Sequence, residues 1–293
     1  MSFAISTDTS ANLPTAELQW HQLYLLPFSY IVDDVEHQCL DLTAFDGDAY
    51  YEMLRHTPAS TSMISMDQYR RLWEPLLQEG QDVLHVGMSS GISGAYQSAV
   101  MAARELREAY PDRRLVVFNT RAASLGEGIQ VLHAATCREA GYTLDETVRE
   151  LTELRPRIRQ IFTVDDLMHL RRGGRVSAVS AAVGTALRIK PLLKGDEAGR
   201  IVVFGKVQGR KRSVRALADN FAANAELLGR WPVGIAHAGC RDEALALAAM
   251  LKEYDPKARV IVVDYEPVTG SHVGPGALAM FYVAKEPWPS AIC

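Results

Sequence analysis

Three short stretches of the sequence carry side chains suited to holding a small anion: Thr61-Ser62, Ser89 to Gly94, and Ser271-His272. Thr61 and Ser93 can each donate an O–H to a carboxylate, and a neutral His272 can add an N–H. Protonated, the same imidazole would add charge. The middle stretch is the richest. Met88 to Gly94 holds three hydroxyls and two glycines in seven residues. Such a loop offers backbone N–H groups at the positive end of the helix that follows. Its glycines let a ligand approach the backbone closely. No lysine completes a Gly-x-x-x-x-Gly-Lys-Ser/Thr pattern, and there is no Gly-x-Gly-x-x-Gly, so triphosphate and dinucleotide are both poorly matched. A singly charged group the size of a carboxylate matches better.

Other readings of the same residues stand beside that one. Gly87-Met88-Ser89-Ser90-Gly91 fits Gly-x-Ser-x-Gly, the nucleophile elbow. It would make Ser89 the nucleophile of a serine esterase, His272 its base, and Asp264 or Glu266 the orienting acid. Alternatively the stretch is a plain glycine-rich turn from strand to helix. A second grouping is basic: Arg171, Arg172 and Arg175, then Arg210, Lys211, Arg212 and Arg215. Brought together, these would form a patch for an acidic partner or for phosphate, as in a phosphate- or nucleotide-linked regulator. The other histidines show neither His-x-x-x-His nor His-x-Glu spacing, which argues against a metal site.

The apolar pattern supplies the frame for these loops. Val83 to Val86 reads as a short buried strand, and Tyr96, Ala99, Val100 and Ala103 recur at helical spacing from about Ser93. Further strands are expected at Phe3 to Thr7, Leu23 to Val32 and Arg114 to Phe118. Helices are expected behind Pro14, from Asp48 to Arg55 behind Asp46, behind Asp67, from Ser124 to Ala140, and over Leu144 to Leu154. Residues 58–65 read as a loop. Alternation of strand and helix implies a mostly parallel sheet. After Pro156 come a strand from Ile158 to Val164, a short helix ending at Arg171 to Arg175, and a small-residue helix from Ser177 to Leu187. A hairpin follows, Ile189 to Leu193 with Ile201 to Phe204. Helices 212–228 and 242–254 then alternate with strands Val233 to His237 and Arg259 to Asp264. A loop, Gly270 to Gly276, carries His272 into a last strand, Ala277 to Val283. The expected fold is α/β in two domains, residues 1–157 around a mostly parallel sheet and residues 158–293 around a mixed one.

Bulk properties narrow the function. The chain has 293 residues, 48% hydrophobic and 23% charged, with net charge −4. That is a globular profile that favours neither nucleic acid nor an acidic membrane surface. No aromatic residues interleave the basic clusters, a further point against nucleic acid. Cys39, Cys137, Cys240 and Cys293 are scattered without Cys-x-x-Cys, which fits a reducing cytoplasm better than a disulfide framework. The first eight residues lack a basic n-region. No apolar run approaches the roughly 18 residues of a membrane span. A cytoplasmic protein without stable membrane insertion is the expectation.

Taken together, the motifs make the sequence resemble the DegV family, the fatty-acid-binding proteins that serve bacterial fatty acid kinase. The markers run the length of the chain: Ile5-Ser-Thr-Asp8-Thr-Ser10 with Leu13-Pro14, Thr61-Ser62 with Ser65, and Ser89-Ser-Gly-Ile-Ser-Gly94-Ala-Tyr96-Gln-Ser-Ala99. Ala123-Ser-Leu-Gly126, Leu170-Arg-Arg-Gly-Gly-Arg-Val-Ser177, Ile189-Lys-Pro-Leu192, Gly209-Arg-Lys211 and His272-Val-Gly-Pro-Gly276 follow in order. The resemblance implies a DegV-like (EDD) fold whose two α/β domains form a ligand tunnel between and within them. It implies a long-chain fatty acid such as palmitate, stearate or oleate as ligand, and no cofactor, metal or catalysis of the protein's own. Thr61 and Ser93, with Ser62, Gly94 and His272, would hold the carboxylate. The apolar residues of the Ser177 to Ala186 helix, with Met63, Ile64 and Met88, would line the tail. An ATP-dependent fatty acid kinase subunit would take the presented acid to acyl phosphate, with Arg175 and Arg210 as docking candidates. One departure stands out: the family's Thr-Ser-Gln-Pro-Ser is Thr61-Ser-Met-Ile-Ser65 in this chain, which alters the pocket mouth.

Overall fold

A computed structural model describes residues 3–176, 189–227 and 229–288. The expected helix over Ser177 to Leu187, its tunnel-lining residues and Cys293 lie outside the described residues. The first half runs β1 (Ala4–Asp8), α1 (Thr15–Trp20), β2 (Tyr24–Leu26), β3 (Ser29–Val32), β4 (Val35–Gln38), α2 (Gly47–Leu54) and β5 (Ser60–Ser62). It continues through α3 (Met66–Gln78), β6 (Val83–Gly87), α4 (Ala95–Ala109), β7 (Leu115–Asn119), α5 (Leu125–Glu139) and α6 (Leu144–Leu154). The second half begins with β8 (Ile158–Thr163), α7 (Met168–Arg172), β9 (Ile189–Gly195), β10 (Ile201–Gln208) and α8 (Arg210–Asn224). It ends with β11 (Pro232–His237), α9 (Arg241–Tyr254), β12 (Arg259–Asp264), α10 (Pro267–Val273) and β13 (Leu278–Val283).

Two main sheets result. The first is four-stranded, in order β2-β1-β6-β7, and parallel throughout. The second is six-stranded, in order β10-β9-β8-β13-β11-β12, and only β11 and β12 run parallel in it. Every residue of β1, β6 and β13 is buried, as expected for central strands covered on both faces. Helix α5 packs against β1 and β6 of one sheet and β8, β11 and β13 of the other. Small residues make that double packing possible. A Cβ on Gly128 would lie 2.6 Å from the Ala11 carbonyl oxygen, and one on Gly234 would lie 2.5 Å from Leu125 Cβ. This accounts for Gly128 inside a helix, where glycine otherwise weakens it.

Four local expectations differ from the structure. Leu23 to Val32 is two strands, because Pro27 has no N–H to continue a ladder. β2 joins the parallel sheet, and β3 joins a three-stranded antiparallel sheet, β4-β3-β5. Asp33 and Asp34, at φ 49° and 61°, form the tight turn into β4, a strand that the polar sequence Val35-Glu-His-Gln38 does not advertise. Residues 60–62 form β5 within the expected loop. Helix α3 is capped by Ser65, whose hydroxyl and Gln68 form a reciprocal capping box, and Asp67 is in its first turn. His272 belongs to a helix, α10, rather than to a loop.

Candidate functional site

Thr61 is central in β5, paired opposite Tyr30 of β3, and its Oγ1 lies 2.9 Å from His272 Nε2. Two devices hold the imidazole there. Glu266 caps α10 by accepting the N–H groups of Val268 and Thr269 at 2.7 and 2.6 Å, and Pro267 suits the first helical position. Across from it, the glycine that ends α7 leaves the ring room: a Cβ on Gly173 would lie 2.5 Å from His272 Nδ1. Burial, aided by the nearby Arg175 charge, pushes the His272 pKa down to about 4. The imidazole is therefore neutral at pH 7, and the direction of its bond to Thr61 follows its tautomer.

Thr61, Ser93 and His272 border one cavity of about 210 Å³. Ser93 precedes α4, and its hydroxyl accepts the Ala95 N–H at 3.2 Å. Its own O–H has no acceptor among the described residues. Ser62, Met63 and Gly94 are exposed at the mouth, and a Cβ on Gly94 would lie 3.0 Å from Met63 Sδ. The departure at Met63 thus shapes the entrance. Inside, the walls are apolar, with Phe28, Met88, Ile92, Leu170 and Val273 among them. Ile64, expected among the lining residues, instead packs fully buried beside Trp73 in the adjoining core. A smaller cavity of about 40 Å³ shares Ile92, Ala123, Ile201, Thr269 and Val273 with the first and reaches Phe162 and Phe281. On the polar side, a third cavity of about 370 Å³ shares Thr61, Arg175 and His272 and adds His169 and Arg172.

The two basic candidates separate. Arg175 is at the site: its guanidinium donates to the carbonyls of Ile92, at 3.3 Å, and Gly173. Arg210 lines none of these cavities. It forks onto Glu243 at 2.6 to 3.1 Å and lies 3.7 Å from Asp165. Thr269 is the residue that sequence reasoning passed over. Its buried Oγ1 has no hydrogen-bond partner among the described residues and borders both apolar cavities. The signal for it was Glu266-Pro267, a helix opening that places Thr269 in a first turn.

The Gly/Ser loop is built differently from a backbone anion nest. Ser89 N–H donates to Ala122 O, Ser90 N–H to Asn119 Oδ1, and the N–H groups of Ile92 and Ser93 both to Ser89 O. Those donors are spent inside the fold, so what the loop can offer an anion is its side-chain hydroxyls and the Gly94 N–H, which has no acceptor among the described residues. Gly91 serves packing between the halves: a Cβ there would meet Ala198 O at 2.8 Å, at the tip of the β9–β10 hairpin.

The esterase constellation is not assembled. Ser89 Oγ is fully buried and donates to Gly199 O at 2.8 Å while accepting the Gly91 N–H. Among the described residues, the side-chain hydroxyl bonded to His272 is that of Thr61. Of the expected acids, Glu266 caps α10 and Asp264 lies 3.2 Å from His237 Nδ1. Incubation of the folded protein with a fluorophosphonate should leave Ser89 unmodified, as peptide mass mapping would report; stoichiometric labelling there would restore the nucleophile.

Neutral hydroxyl and imidazole groups, with one half-buried guanidinium, line the head of an apolar pocket. The protein is thus a mixed α/β fold in which hydroxyl and imidazole groups and an apolar pocket adjoin. A family model described as "Uncharacterised protein, DegV family" matches residues 2–285. The chain belongs to the DegV family. A DegV domain-containing protein of Clostridium perfringens is 35% identical over 97% of this chain and 99% of its own. Among solved structures, a DegV family protein from Thermus thermophilus described by its fatty acid binding is 28% identical, with TM-score 0.87, covering 97% of this chain and 100% of that one. DegV of Bacillus subtilis, described as a fatty acid binding protein, is 28% identical with TM-score 0.83 and the same coverage. Among the described residues, no helix is long and apolar enough to cross a membrane, and no group of three His, Cys, Asp or Glu could hold a metal ion.

Proposed function

We propose that this protein binds one long-chain fatty acid and presents its carboxylate, without chemistry of its own, to a separate ATP-dependent kinase subunit. The observation that carries the reading is the single cavity joining Thr61, Ser93 and His272 to an apolar interior. Its support from relatives is the fatty acid binding described for the Thermus thermophilus and Bacillus subtilis proteins. Thr61 and Ser93 donate to the carboxylate, with Ser62 and Gly94 at the rim and His272 fixing the Thr61 hydroxyl. The tail lies along the apolar walls, each buried methylene contributing about 0.8 kcal/mol. A buried carboxylate without donors would cost several kcal/mol, so the hydroxyls set which end lies where. The domains are residues 1–157 and 158–293, with the ligand held where they meet.

In this reading the cavity on the polar side, with Arg172 and Arg175, is where the acid's head becomes reachable for phosphoryl transfer in the cytoplasm. Arg210 belongs to the docking surface through its ion pairs rather than as a free charge. The protein purified from a bacterial host should carry a non-covalent adduct with the mass of palmitate, stearate or oleate. Comparison of native and denaturing mass spectra, with solvent extraction of the ligand, reads this directly. An empty protein that takes up no added palmitate would end the fatty-acid reading. Adding a fatty acid kinase subunit with ATP should convert the bound acid to an acyl phosphate that hydroxylamine traps, and failure there alone would remove the presenting role.

A further inference from the structure

The row of cavities does not end in solid core. The inner cavity of about 40 Å³ and an outer cleft of about 330 Å³ share two residues, Gln160 and Gly195. The cleft is polar, with Arg121, Arg155, Asp196 and Glu197 around Trp288, whereas the inner cavity ends on Phe162 and Phe281. Gln160 stands between them. It belongs to β8, opposite Phe281 of β13. Its Oε1 accepts the Ala123 N–H at 3.3 Å, and its Nε2 donates to Arg121 O at 2.9 Å. Gly195 makes space for the amide, because a Cβ there would collide with Gln160 Nε2.

We propose that Gln160 is the stop at the tail end of the tunnel and sets the longest acyl chain the protein accepts. The inference rests on the fatty-acid reading above. A methyl terminus cannot push this amide aside without leaving the Ala123 N–H and the Arg121 carbonyl short of a partner, which a hydrocarbon cannot replace. The chain therefore ends at Gln160, and the cleft beyond is a closed back door. Truncating the side chain joins tunnel and cleft. Additional methylenes can then lie along the Trp288 ring and the arginine stems, which tolerate apolar contact.

The test is a series of saturated acids, from tetradecanoic to docosanoic, competed against hexadecanoic acid and read by native mass spectrometry on wild type, Gln160→Ala and Gln160→Met. In Gln160→Ala, icosanoic and docosanoic acids should gain at least about tenfold over hexadecanoic acid relative to wild type, the value of two newly buried methylenes. Gln160→Met keeps the bulk without the two hydrogen bonds and should admit the longer acids less well than Gln160→Ala but better than wild type. Gln160→Ser serves as a second opening variant should the alanine protein fold poorly. An unchanged length profile in the opening variants, with hexadecanoic acid still bound, would overturn the stop. A wild type that binds no acid at all would instead overturn the fatty-acid reading on which the stop depends.

Discussion

Replacing Thr61 by valine and Ser93 by alanine together is expected to lower palmitate affinity at least about a hundredfold. Each hydroxyl would donate to a charged acceptor, and hydrogen bonds to charged groups contribute about 1.5–3 kcal/mol apiece, so two such losses reach that factor. The cost is large because the carboxylate meets few alternatives. All but the Gly94 N–H of the loop's backbone donors from Ser89 on are engaged with Ala122, Asn119 and Ser89, and His272 is neutral at pH 7 because burial and Arg175 hold its pKa at about 4. Valine matches threonine in shape, so β5 keeps its packing, while His272 Nε2 loses its 2.9 Å partner. Alanine at 93 gives up the bond to the Ala95 N–H, a loss of roughly 1 kcal/mol at a helix start. Unfolding should therefore stay cooperative while binding collapses, which separates a ligand role from a structural one. Titration calorimetry with palmitate, beside a thermal melt of the same protein, measures both. A double variant within a few-fold of wild-type affinity would remove the carboxylate from this end of the cavity.

Much of this was legible in the residues, and the failures have physical causes. Strand β6 is a largely apolar run between Asp82 and Gly87, and β13 a continuous one behind Gly274-Pro-Gly276, so local pattern identifies them. Helix α6 reads from end to end because Thr143 and Glu146 form a capping box. The polar strand β4 was invisible because both its faces are exposed and its pairing depends on the Asp33-Asp34 turn. The hydroxyls at Thr61 and Ser93 could be named from their types, but their convergence on one cavity depends on how β5, α4 and α10 pack across the chain. The Gly/Ser loop misled in a specific way. Glycine there suggested close approach of a ligand, whereas Gly91 admits the Ala198-Gly199 backbone of a hairpin more than a hundred residues away. No window of sequence contains that information.

Asp8→Ala should destabilise the fold by about 3 kcal/mol and loosen ligand binding with it, whereas Glu127→Gln should cost little at neutral pH and gain on wild type as pH rises. Both carboxyls are buried, at 1% and 0% exposure. Asp8 accepts the N–H groups of Ser10 at 2.9 Å and Met88 at 3.1 Å, tying the end of β1 to the start of the loop that carries Ser93. Removing it leaves two buried donors unpaired, each costing about 1–3 kcal/mol. Glu127, on α5, accepts the hydroxyls of Thr7 and Ser10 at 3.2 and 2.6 Å. Burial and the Asp8 charge push its pKa well above the ordinary carboxylate range, and burial raises that of Asp8 as well. Two carboxylates cannot both ionise in such a site, so Glu127 keeps a proton that the unfolded chain would release. A carboxyl raised in this way adds stability that is complete below its unfolded pKa near about 4 and is lost as pH climbs through the folded value. Glutamine cannot ionise and does not carry that loss. Buried His85, depressed to about 3, slopes the opposite way in acid, so the informative quantity is the difference between the two proteins rather than either curve alone. Urea unfolding at about pH 5 and about pH 8 should show that difference moving in favour of Glu127→Gln at the higher pH. A difference that moved toward wild type would mean that Glu127 does not hold its proton, and an Asp8→Ala protein as stable as its parent would mean that Asp8 does not anchor the loop.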